Sequence, residues 1–396
     1  MHSVEAAAAH VVGRVARLSA ETVALHDAHG RILAADVVAA RSLPGFDNSA
    51  MDGYAVRAAE LPSSFPIHST VAAGQPAGDA IPERVAVRIF TGAQLPAELD
   101  TIVIQEDATL EENGNVTLPL AAPGENVRFV GEDIKAGDVA CAAGARLGAG
   151  ELGLLAALGA AELAVVRRPR VAVIATGDEL VDLGSELGPG QIVDSSAHTL
   201  AALIRDAGGA PAFIGIAKDD PITMAALIAS ALDHDVVITT GGVSVGERDH
   251  VRAALASAGV ELELYKVAMK PGKPFSFGMN GAVPVFGLPG NPVSTFVAFE
   301  LFVRPALLAM QGATALVRPR APVMLVRGYR KQAGRTHYIR ASVVRNGEHL
   351  IAHPHPKQGS AILSSLVGCN ALVELAAELE EIQPNTVMPA ILLETV

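Results

Sequence analysis

Between Arg170 and about Gln311 the chain alternates short apolar runs with helix-like ones, and this alternation constrains the fold more than any other feature. The apolar runs are "VAVIAT", "APAFIGIA", "DVVITT" and "AVPVFGL". The runs between and after them are "SSAHTLAALIRDAG", "PITMAALIASALD", "VRAALASAG" and a long segment starting at Asn291. Strand and helix alternation at this spacing predicts βαβ units and a mainly parallel sheet. In such a sheet ligands bind outside the carboxyl ends of the strands, so the loops there are the first place to look for chemistry.

The rest of the chain reads differently. At 396 residues it exceeds one ordinary core, and two to four domains are expected. Residues 45–140 break into short Val/Ile/Thr runs separated by Pro, Gly and Asp, which predicts a β-rich lobe. Helix periodicity returns in "AGELGLLAALGAAEL", so residues 1–44 and 141–169 are expected to form one discontinuous linking domain. Residues 170–318 make the α/β domain, and strand-like segments over 319–396 predict a C-terminal β domain. The fold class is α/β plus β, in several domains.

A formal charge of −12 argues against a general nucleic-acid surface. Cys141 and Cys369 have neither metal-ligand spacing nor a disulfide framework, which points to a reducing compartment, by default the cytoplasm. The N-terminus carries Glu5 and no basic region ahead of its apolar stretch, so it reads as an amphipathic helix rather than a signal peptide. The apolar segment "VSTFVAFELFVRPALLAM" holds Glu300 and Arg304 and is a poor membrane span.

Four strand-end loops carry unusual polar groups. After "VAVIAT" stand Gly177, Asp178 and Glu179; one acid suits a helix cap, and the adjacent pair suits Mg²⁺. After "FIGIA" comes "KDDP", where Asp220 and Pro221 read as a cap and first helical residue, leaving Asp219 as the functional candidate. After "DVVITT" comes "GGVSVGERDH". Its glycines fit neither a Walker loop nor a dinucleotide fingerprint. They permit close approach of backbone N–H groups to a ligand, at Gly241, Gly242 and Gly246, with Ser244 and Asp249 as side-chain partners. After "AVPVFGL" comes "PGNPVS". Asn291 and Pro292 suit a helix start, and the same start offers N–H groups to an anion.

The lysines of "YKVAMKPGKPF" are either a solvated edge or an anion site. If the segment is extended, Lys266 and Lys270 lie on the same side of the strand. Acids suited to a divalent cation beside lysines suited to phosphate form the combination used in phosphoryl or nucleotidyl chemistry. In the β-rich lobe, "DNSAMDGYAV", "IFTGA" and "VRFVGEDIKAGD" add Asp52, Thr91, Arg128 and Asp133, each of which taken alone is explained by a turn.

In their order along the chain, these strings resemble the molybdopterin molybdenumtransferase family, that is bacterial MoeA and the E domain of gephyrin. The resemblance continues through "TGDEL", "KVAMKPGKPFSFG", "FGLPGNPVS", "GRTHYIRASV" and "KQGSAILSSL", covering nearly the whole chain from about residue 20. It implies a β-rich lobe, a discontinuous linking domain, an α/β molybdopterin-binding domain and a C-terminal β-barrel-like domain. It also implies an elongated homodimer whose active site lies between the α/β domain and the partner's lobe. The implied reaction joins adenylylated molybdopterin and molybdate to give molybdenum cofactor and AMP, with Mg²⁺. Implied partners are a separate upstream adenylyltransferase and molybdoenzyme acceptors, with no nucleic acid and no membrane. The resemblance assigns Asp52, Thr91, Asp133, Glu179, Asp219 and Asp249 to the functional site, and Lys266, Lys270, Pro289 and Pro292 match its motif positions. On their chemistry, Asp52, Asp133, Glu179, Asp219, Asp249, Lys266 and Lys270 are expected to be the catalytic set, Glu179 with Asp249 to hold Mg²⁺, and Thr91, Gly241, Gly242, Ser244, Gly246, Lys273, Pro289, Asn291 and Pro292 to bind substrate. The adenylyltransferase step itself, or a non-catalytic dimeric scaffold, is the competing expectation.

Overall fold

The computed structural model describes the chain except for residues 77, 79, 219, 242–249, 395 and 396. The central unit holds β1 (Arg170–Thr176), α1 (Ser196–Asp206), β2 (Ala210–Ala217), α2 (Pro221–Ala231) and β3 (Val236–Thr240). It continues through α3 (His250–Ser257), β4 (Glu261–Tyr265), β5 (Ser276–Asn280) and β6 (Val283–Leu288). A long apolar helix follows, built of Pro292–Ala298, a π-helical turn Phe299–Val303 and Arg304–Met310. The strands order as 2-1-3-6-5-4. The four strands expected to be parallel, β2, β1, β3 and β6, are parallel, while β5 and β4 extend one edge antiparallel.

β1 shows why the run "VAVIAT" has no polar alternation. Val171 and Val173 belong to one core, and Ala172 and Ile174 belong to a second core on the opposite face. Successive side chains of a strand point to opposite faces, so a strand covered by helices on both sides must be apolar throughout. The helix Pro292–Met310 is long and apolar enough to cross a membrane, yet 89% of its apolar stretch is buried inside the protein. Its Glu300 and Arg304 are themselves buried, so it is a core helix.

The N-terminal lobe is a six-stranded sheet with its own two apolar clusters. Between the lobe and the central unit, Ala20–Ala24 pairs with Glu162–Val166, and Val37–Val38 pairs with Val139–Cys141. Leu33, Leu147, Leu155 and Val165 close a shared core there, joining chain segments more than a hundred residues apart. The first helix, Val4–Arg14, departs from the grouping of residues 1–44 with that linking domain. Its buried Val4, Ala7 and Val11 join the core of the α/β unit. Period-3.6 spacing shows that a helix has an apolar face but not which neighbour covers it.

The C-terminal region closes into a five-stranded barrel. Its strands are Arg320–Leu325, Thr336–Asn346, His349–Pro354, Ala371–Leu375 and Val387–Leu392, closed by pairing of the second with the fourth. Met269–Lys270, from the α/β unit, adds to this barrel in parallel beside Thr336–His337. That pairing fixes Lys270 between the two domains.

Candidate active site

The carboxyl ends of β1, β3 and β6 open onto a cleft of about 730 Å³. Gly177 and Glu179 after β1, Gly241 after β3, and Pro289, Gly290, Asn291 and Pro292 after β6 line it. Lys218, at the end of β2, reaches across to donate to the carbonyls of Asp178 and Leu180, both at 3.2 Å, which secures the β1 loop. Gly241 has φ +92°, and a Cβ there would stand 2.6 Å from the Thr176 carbonyl oxygen. A side chain at this position would push β1 and β3 apart, so glycine keeps the mouth of the cleft open. Asp220 caps α2, accepting from the Thr223 backbone N–H at 2.8 Å, as its Asp-Pro sequence predicts.

Next to the cleft, and sharing Pro274, Pro289 and Asn291 with it, is a second cavity of about 640 Å³. Lys270, Lys273, Arg335, Ser294 and Ser360 line it, and none of the described residues lining it is acidic. Its positive field reaches His337, which is held down at about 4 by burial and then by Lys270, Lys331 and Arg335. Asn291 occupies the cap position of its helix, but its side chain makes no cap hydrogen bond. Its amide therefore remains at the junction of the two cavities, where the cap reading of the sequence would have turned it inward.

Both cavities are roofed by the loop 357–365, which buried Arg340 holds in place. The guanidinium donates to the carbonyls of Lys357, Gln358 and Gly359 and to Ser365 Oγ, at 3.0–3.3 Å. Ser360 in turn accepts from the Val293 N–H at 3.2 Å. No carboxylate pairs with Arg340 in these bonds. Its planar fork is being used to organise backbone carbonyls, which a lysine could not reproduce.

The cleft contains a group that sequence reasoning missed. Asp194, buried at 4% exposure, lies on its wall. Oδ1 accepts from the Ser196 and Ala197 N–H groups at 2.9 and 3.1 Å, capping α1, while Oδ2 is buried with no partner. The string "VDSSAH" reads as an ordinary cap, and the free second oxygen is visible only in three dimensions. Arg335, Arg340, Ser294 and Ser360 were missed in the same way, because their strands and loops lie far apart in sequence.

Other expected residues are elsewhere. Lys266 has φ +68° and its Nζ lies 5.0 Å from the Tyr265 ring centroid. The chain turns there, so the extended segment that would align Lys266 with Lys270 does not form, and Lys266 lines neither cavity. Asp52, Thr91, Arg128 and Asp133 all lie on the N-terminal lobe, none of whose described residues lines either cavity. Asp52 accepts from both the backbone N–H and Oγ1 of Thr91, at 2.8 Å each, and these bonds lower its pKa. Asp219, Gly242, Ser244, Gly246 and Asp249 lie outside the described residues. Among the described residues no group of three or more His, Cys, Asp or Glu side chains is suited to holding a metal.

Three family models match in order. They are the MoeA N-terminal region (domain I and II) over residues 2–159, a probable molybdopterin binding domain over 172–309, and the MoeA C-terminal region (domain IV) over 322–393. Molybdopterin molybdenumtransferase of Haemophilus influenzae is 39% identical over 90% of this chain and 90% of its own. The protein of that name from Nostoc sp. is 42% identical over 74% of this chain and 70% of its own. A solved molybdopterin biosynthesis MoeA protein from Pyrococcus horikoshii superposes over 99% of this chain and 100% of its own, at 30% identity and a TM-score of 0.87. The ordered motifs, the four-part architecture and these full-length matches agree that the chain belongs to the MoeA family of molybdopterin molybdenumtransferases.

Proposed function

We propose that this chain inserts molybdate into adenylylated molybdopterin and releases AMP. The observation that carries this reading is the junction of a carboxylate-bearing cleft with a cationic cavity, free of acids among its described residues, at the ends of the parallel strands. The first suits the nucleotide-pterin substrate, with backbone at Gly241 and Gly290 permitting close approach. The second suits a tetrahedral dianion, held by Lys270, Lys273 and Arg335 with hydroxyls from Ser294 and Ser360. Asn291 and Pro289 border both, so molybdate and the sulfur-bearing end of the pterin meet there. The free Oδ2 of Asp194 is an acceptor for an N–H edge of the substrate.

Magnesium prefers a few carboxylates, with water and substrate phosphate oxygens completing its shell. Glu179, on the wall of the cleft, fits part of that donor set, with Asp249 as a further ligand expected from the sequence. When bound, the ion supplies charge neutralisation at the pyrophosphate. Lys270 and Lys273 keep the incoming oxyanion oriented, and the Arg340-held loop limits access of water.

The reading includes a homodimer. Phe46, Met51, Phe90, Phe129 and Val130 are 38–51% exposed, on the same lobe loops that carry Asp52, Thr91 and Asp133. An apolar surface around functional acids, remote from the chain's own cavities, suits burial against the cleft of a second copy. Free Cys141 and Cys369 fit a reducing, cytoplasmic setting.

The test is to supply purified protein with Mg²⁺ and either adenylylated molybdopterin plus molybdate or molybdopterin plus ATP, and to follow AMP. Molybdate-dependent AMP release from the first pair supports the proposal. Consumption of only the second pair would assign the adenylyltransferase step instead, and consumption of neither would leave a scaffold.

A further inference from the structure

Away from the cleft, a chamber of about 210 Å³ lies where the linking domain, the long helix and the connector to the barrel meet. Arg146 comes from the linking domain, Arg304 from the helix and Arg318 from the connector, and no carboxylate is among the described residues lining the chamber. Arg304 is 8% exposed, and its Nε and Nη1 are buried without a hydrogen-bond partner. Glu300, one turn back on the helix, forms an ion pair with Arg304 at 3.9 Å from Nε, too long for a hydrogen bond. Glu300 is already committed to Arg318, accepting at 2.7 and 3.0 Å. The adjoining cavity, which shares the three arginines, also contains Asp206, Glu300 and Glu394, so the acids lie on that side of the guanidinium groups and none stands among the described residues lining the chamber.

Buried donors in native proteins are almost always satisfied, and those that lack a protein acceptor point to water or an ion. We infer that the chamber binds one tetrahedral oxyanion of the sulfate, phosphate or molybdate class, whose oxygens accept hydrogen bonds from Nε and Nη1 of Arg304 between Arg146 and Arg318. The volume is below the range of ordinary organic-ligand pockets, which selects a single oxyanion over a nucleotide. Planar guanidinium groups match the oxygens of such an anion. Its position gives it a structural consequence. Thr314 N–H already donates to the Gly144 carbonyl at 3.2 Å beside the chamber. An anion joining Arg146 to Arg304 strengthens that contact and ties the linking domain to the α/β unit. This site does not depend on the reading of the cleft.

The test separates the chamber from the cationic cavity of the cleft by using full-length Lys270→Ala/Lys273→Ala protein as the background. Sulfate is titrated calorimetrically, and melting is followed with and without sulfate. The background protein is expected to bind sulfate and to melt higher in its presence, and adding Arg304→Met is expected to weaken binding at least tenfold and remove the shift. Unchanged sulfate binding on adding Arg304→Met would overturn the site. So would a fall in melting temperature that is the same with and without sulfate, because the arginine then serves only as a partner of Glu300. Should Arg304→Met fail to fold, Arg146→Gln at the exposed rim is the second variant. Weaker sulfate binding supports the site, and unaltered binding overturns it. Repeating the titration with phosphate and with molybdate identifies which oxyanion the chamber prefers.

Discussion

Replacing Asp194 with Asn separates the two jobs of that carboxyl group. Oδ1 carries the cap of α1, and an amide oxygen can accept the same two N–H bonds. Asn and Asp are nearly equal at such positions, so the helix should keep its stability within about 0.5 kcal/mol. Oδ2 has no protein partner to lose. On the proposed substrate contact, the substitution exchanges a charged acceptor for an NH₂ donor set against the substrate's own N–H. A hydrogen bond to a charged group contributes about 1.5–3 kcal/mol. Substrate affinity should therefore fall roughly 10- to 150-fold. Binding of adenylylated molybdopterin by fluorescence or calorimetry, beside urea unfolding of the free protein, measures both sides. Unchanged affinity with a loss of stability above about 1 kcal/mol would refute the reasoning and leave Asp194 as a cap alone.

Arg340→Met should destabilise the barrel by about 3 kcal/mol through carbonyls left unpaired, and Arg340→Lys should recover little of it; urea midpoints test this. His337 has a folded value of about 4 against an ordinary 6.5, so its contribution to stability is complete above pH 6.5 and lost as pH falls towards 4. That loss amounts to roughly 3 kcal/mol, and His337→Gln should flatten the acid limb of stability between those values. Thr91→Val removes one of the donors that lower the Asp52 pKa, so an acid limb of activity governed by Asp52 should move to higher pH with the fold intact. Phe129→Asp on the exposed lobe patch should shift sedimentation towards monomer and reduce turnover, although it alters no cavity residue.

Local chemistry made much of the α/β unit legible. Asp220-Pro221 started a helix as expected, and the apolar runs became the four parallel strands. The ordered motifs also identified the loops at the ends of β1, β3 and β6. The condition for aligning Lys266 with Lys270 fails because alternation applies only while a strand stays extended, and the chain turns at Lys266. Asn291 has the right type and place for a cap, but neither reveals whether the side chain is used. Asp194 and Arg340 were illegible for a different reason. Each looks ordinary among its neighbours, and its role depends on an unpartnered oxygen in one case and a distant loop in the other.

The sequence by itself determined the family, the parallel sheet and the motif-bearing loops, because periodicity and residue order are properties of neighbours along the chain. Tertiary structure alone decided that Lys270 stands between two domains, that residues 357–365 roof the cavities, and that the lobe's acids lie away from both. It also brought Arg146, Arg304 and Arg318 to one chamber. Charge, burial and unmet hydrogen bonds depend on which distant segments pack together, and that is settled only when the whole chain has folded.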